Sequence, residues 1–110
     1  MPDPESPEFD ARVVGWLLDL CPPEYRRGEV LRRHPVLLAR LATLHTEADL
    51  AAARAAFSGV RRDLAGRMPP EAIEEGMAEL SRAGAELSAR AREAALVEEA
   101  LQGRRWRPKL

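Results

Sequence analysis

Few residues in this chain belong to the types that do chemistry. The only histidines are His34 and His45, and the only cysteine is Cys21. A metal site would gather such groups at spacings like HxxxH, ExxH or CxxC, and none of these spacings occurs. Nucleophilic catalysis would need Cys21 or a serine beside a histidine. Cys21 closes an apolar stripe just before Pro22-Pro23, the setting of a buried, inert thiol. Ser58, Ser81 and Ser88 fall inside helical periodicity with no glycine-rich elbow to present them. The carboxylate pairs Glu74–Glu75 and Glu98–Glu99 read as solvated helix faces. The expectation is therefore no enzyme, no cofactor and no metal.

The segment that carries most character is the end, GRRWRPKL, where Arg104, Arg105, Arg107 and Lys109 surround Trp106. Cations around an aromatic ring can grip phosphates and stack on bases. The same residues can form a linear peptide that docks in a partner's groove. A third reading folds Trp106 back on the body of the protein, with its arginines facing the acidic N-terminal residues. Arg26, Arg27, Arg32 and Arg33 fall at the same end of the molecule as this tail and are the further candidates for phosphate contact. Sixteen of the seventeen basic residues are arginine, Lys109 being the sole lysine. That bias has the look of a GC-rich coding sequence and discounts each arginine as a dedicated ligand.

The elements that must position these residues are helices. Eight residue pairs have numbers summing to 137: Leu64 with Ile73, Val60 with Met77, Phe57 with Leu80, Ala53 with Gly84, Leu50 with Leu87, Thr46 with Ala91, Ala42 with Ala95, and Ala39 with Glu98. A constant sum is the mark of two antiparallel segments in one register, and steps of three and four within each segment put the members on one helical face. The fold class is all-α: a long antiparallel helical hairpin, about 35–65 and 70–102, with two short N-terminal helices packed at its open end. Gly66 ends the first arm, Pro69-Pro70 forces the reversal, and Gly103 is the expected cap of the second arm.

The first short helix, from Ser6-Pro7 to about Leu20, has a wide apolar face of Phe9, Val13, Val14, Trp16, Leu17, Leu18, Leu20 and Cys21. A second short helix should run from Pro23 to Arg33. Leu37, Leu41 and Leu44 point away from the seam residues Leu50, Phe57, Val60 and Leu64, so the first helix is their expected partner. Val97 and Leu101 should join that cluster. Glu98 lies on the inner face, where Arg40 or Arg12 is expected to neutralise it. Phe57 is expected to fill the space over Gly84. The two-helix arm beyond the cluster should fray over 60–77 or be covered by a second copy. Residues 1–6 read as disordered, 7–103 as one helical domain, and 104–110 as a basic tail.

Charge is segregated along the chain. Residues 1–24 hold six acids against Arg12, whereas 25–67 hold nine arginines against four acids. Residues 68–101 hold eight glutamates against three arginines, 102–110 hold four cations and no acid, and the whole chain carries -1. Two neighbouring helices of opposite sign attract one another, and a near-neutral sum argues against a general polyanion binder. The N-terminal residues lack the basic and apolar regions of a signal peptide, so a cytoplasmic protein without membrane contact is expected. Together these features point to a non-enzymatic protein-interaction module, a small adaptor or regulatory subunit. Its candidate surfaces are Val14, Trp16 and Leu18 on the first helix, and the tail around Trp106. The alternative is a nucleic-acid-associated protein using the basic base and tail.

Overall fold

The computed structural model describes residues 9–106 and the side chains of 11–103. The reading of 1–6 as disordered, the cap at Ser6-Pro7, the side chains of Phe9 and of Arg104 to Trp106, and the whole of Arg107 to Leu110 lie outside the described residues. Helix α1 spans Phe9–Asp19, α2 spans Glu29–Arg33, α3 spans Pro35–Leu64 and α4 spans Pro70–Trp106. A 3₁₀ segment, Pro23–Arg27, precedes α2. The molecule is all-α and elongated, measuring 63 × 31 × 19 Å. Its main contact is α3 against α4, and α1 and α2 both pack on the first part of α3.

The reversal is a tight turn after α3. Arg67 N–H donates to Leu64 O at 2.9 Å, and between them Ala65 has φ -58 and ψ 128 and Gly66 has φ 78. Those angles define a type II turn, whose third residue favours glycine because a Cβ is strained at positive φ. Pro69 O then accepts the N–H groups of Ala72 and Ile73, and Pro70 takes the first position of α4, where its missing N–H costs nothing.

The core lies at the open end. Val13, Leu17 and Leu18 of α1 pack with Leu38, Ala39 and Ala42 of α3 and Val97 and Leu101 of α4, none more than 2% exposed. Each buried leucine contributes about 2 kcal/mol of transfer free energy. Val97 and Leu101 join α1 as the periodicity implies. The polar groups inside this region are satisfied. Thr43 and Thr46 hydroxyls donate to the carbonyls of Ala39 and Ala42 one turn back. Glu98, 6% exposed, accepts from Arg40 Nη1 at 3.1 and 3.3 Å and from Gln102 Nε2 at 3.2 Å. Arg40 is one of the two arginines expected to neutralise Glu98.

Several expectations are corrected. Residues 23–33 form a 3₁₀ segment and a separate short helix, interrupted at Gly28, whose backbone is extended (φ -91, ψ 122). Glycine is a poor helix former, by about 1 kcal/mol relative to alanine, and here it divides the segment. Gly103 does not cap α4, which continues to Trp106. Ala95 is exposed, and Ala94 is fully buried in its place. The steps Leu87–Ala91–Ala95 are both of four residues, and each overshoots a full turn by about 40°. Alternating four and three, through Ala91, Ala94 and Glu98, keeps to one face. At the tip Ile73 and Met77 are 6% and 4% exposed within one chain. Phe57 does not fill the space over Gly84: it is 46% exposed, and a Cβ built on Gly84 would meet nothing within 4 Å.

Candidate functional site

The fold does bring chemically active side chains together, at the end of α1. Asp19, Cys21, His45 and Asp49 line a polar cleft of about 280 Å³. The adjoining geometry uses them structurally. His45 Nε2 and the Tyr25 hydroxyl are hydrogen-bonded at 2.6 Å, and the two rings meet edge-on with centroids 5.3 Å apart, which ties the 3₁₀ segment to α3. Burial pushes the Cys21 thiol above its ordinary range, so it keeps its proton at neutral pH. A nucleophile needs the opposite shift. Among the described residues no three His, Cys, Asp or Glu side chains converge closely enough to hold a metal ion.

Arg26, Arg27, Arg32 and Arg33 are all exposed on the 3₁₀ segment and α2. Arg26 forms an ion pair with Asp19, and Arg32 Nη2 donates to the carbonyl of Arg26 at 3.2 Å. Half of this basic group is therefore engaged in tying α2 to the end of α1. The other half of the predicted basic surface, Arg104, Arg105, Trp106 and Arg107, lies outside the described side chains.

The α1 surface is smaller than the sequence implies. Leu18 is 1% exposed within the core, so it has no face to offer a partner. Val14 and Trp16 are half-buried and pack against the same core. The apolar stripe of α1 is spent on a buried cluster with Leu38, Ala39 and Ala42 of α3 and Val97 and Leu101 of α4.

An uncovered apolar row lies instead on α3. Leu37 and Leu44 are 45% and 46% exposed, and Leu41 between them is half-buried. The expectation that these three leucines face the first helix is corrected by Leu38, which is fully buried against α1. One residue along a helix is 100° around it, so burying Leu38, Ala39 and Ala42 turns Leu37 and Leu44 outward. The stripe was visible in the spacing 37, 41, 44. Which of two apolar stripes would be covered was not, because residues 35–44 are apolar on most sides. A second apolar depression, an open groove of about 430 Å³, runs along the arm between Phe57 and Gly84, bordered by Ser58, Ser81 and Ser88.

No helix among the described residues is long and apolar enough to cross a membrane. No family model matches the chain, and no curated protein or solved structure matches it significantly.

Proposed function

We propose that this chain is a non-enzymatic helical interaction module, a small adaptor or regulatory subunit, that docks through the outer face of α3. The observation that supports this reading is the row Leu37, Leu41 and Leu44. A chain that buries Leu17, Leu18, Leu38 and Leu101 completely leaves two large leucines of one helix nearly half open to water. Exposed large apolar side chains grouped on one face mark a contact surface, whereas isolated ones do not. Half-buried Val14 and Trp16 are a secondary surface, and the tail around Trp106 remains a proposed docking peptide. The test is Leu44→Glu. The substitution points outward, so helicity and thermal midpoint should stay within a few degrees of wild type while association with protein partners from a nuclease-treated lysate is lost. Retention of every association by a folded Leu44→Glu protein removes this reading.

A second reading, association with nucleic acid, is supported by the four exposed arginines on the 3₁₀ segment and α2. It requires affinity that falls steeply with salt, the slope of log K against log salt counting the phosphates contacted. A flat salt response, or unaltered binding in Arg27→Ala/Arg33→Ala, removes it.

A further inference from the structure

The outer face of α3 is longer than its leucines. Leu37, Leu41, Leu44, Ala48, Ala51 and Ala55 recur at alternating steps of four and three, and all but the half-buried Leu41 are exposed. Alternation of four and three is the heptad spacing of a coiled-coil seam. The face is therefore a second seam, parallel to the one that α3 shares with α4 and turned to the other side. We infer that it pairs with the same face of a second copy of this chain, with the two α3 helices antiparallel and Leu41 of each copy set against Leu44 of the other. This rests on the interaction-module reading and names its partner.

Charge selects both the occupant and the register. Along one edge of the seam run Arg40, Glu47 and Arg54, each seven residues from the next. In an antiparallel pair this edge meets itself. With Leu41 opposite the second copy's Leu44, Arg40 falls beside the second copy's Glu47 and Glu47 beside the second copy's Arg40. A shift of one heptad one way faces Arg40 with Arg40. The shift the other way faces Arg40 with Arg54 and Glu47 with Glu47. Only one of the three registers brings opposite charges together, and it is also the one that centres the leucines and sets Leu37 against the small Ala48. In a parallel pair this edge would face His45 and Ala52, with no countercharge. Arg40 can serve both contacts, because one nitrogen, Nη1, holds Glu98 while 49% of its side chain remains exposed. Glu47 makes no ion pair among the described residues.

The experiment measures mass against concentration for the full chain and for Glu47→Arg and Leu44→Glu by sedimentation equilibrium. Wild type should dimerise in the micromolar range, Glu47→Arg should weaken the dimer about tenfold, and Leu44→Glu should be monomeric with unchanged helicity. Chains carrying Leu37→Cys and chains carrying Ala48→Cys, each in a Cys21→Ala background, are then mixed and oxidised. Disulfides should form between the two variants and not between two Ala48→Cys chains. Ala48→Cys homodimers, or a Glu47→Arg dimer as tight as wild type, overturn the antiparallel register. A wild-type chain that stays monomeric overturns self-pairing. If Leu44→Glu then still abolishes capture of another polypeptide, the broader module reading survives; if it does not, both fall together.

Discussion

The base and the arm of this molecule share two helices and one seam of small residues, yet they enclose very different amounts of apolar surface. At the base, α1 packs on α3 in one buried cluster with Val97 and Leu101 of α4, and Leu17, Leu38 and Leu101 are at most 1% exposed. Along the arm no third element is present among the described residues, Phe57 is 46% exposed, and the groove beside Gly84 stays open. Alanine and glycine let two helices approach, but two cylinders in contact leave open flanks on both sides. A core needs a third layer or a long side chain reaching across. At the tip Ile73 and Met77 provide such side chains, and the seam closes again.

The sharpest way to break this contrast is to truncate one large side chain in each region. Leu38→Ala should cost about 2–5 kcal/mol in urea denaturation, because it empties a site closed on all sides. Phe57→Ala should cost well under half of that, its ring being already half in water. Equal costs would show that the arm is packed as firmly as the base. Next in size come the ion pairs. Arg40→Ala strands the carboxylate of Glu98, which is 6% exposed. Since Gln102 still donates and Arg40 itself is half exposed, we expect a loss of about 1–2 kcal/mol rather than the full cost of an orphaned buried charge. The arm's counterpart, Arg61 with Glu74 at 2.9 Å, is open to solvent on both sides. The carboxylate raises the Arg61 pKa, yet Arg61→Ala should leave the denaturation midpoint unmoved. One effect has the opposite sign. Gly84→Ala meets no atom within 4 Å and should raise stability by about 1 kcal/mol through helix propensity alone. A loss there would mean that the two helices approach more closely at Gly84 than described.

The hairpin, its turn and the Arg40–Glu98 pair were legible because periodicity and glycine-proline placement are local signals that two segments repeat in register. The base was less legible. Leu38 and Leu37 are both leucine, and only the position of α1 decides which of them is covered. Leu18 was indistinguishable from a surface residue for the same reason: a helix with so wide an apolar face can serve an interface or the core, and here Leu18 serves the core. Ala94 and Ala95 are chemically identical, so the choice between them was left to the geometry of the helix. The cleft at Cys21 and His45 was invisible, since it joins the end of one helix to the middle of another.

The type II turn at Gly66 has a further consequence, for the order in which the chain assembles. Contacts near it close short loops: Arg61 and Glu74 are 13 residues apart, whereas Arg40 and Glu98 are 58 apart. Loop-closure entropy grows with that separation, so the hairpin should zip from its tip, with the base following and α1 docking last. Stability and kinetic priority then reside at opposite ends. A bulky residue at Gly66 would slow folding, whereas a hole beside α1 would hasten unfolding.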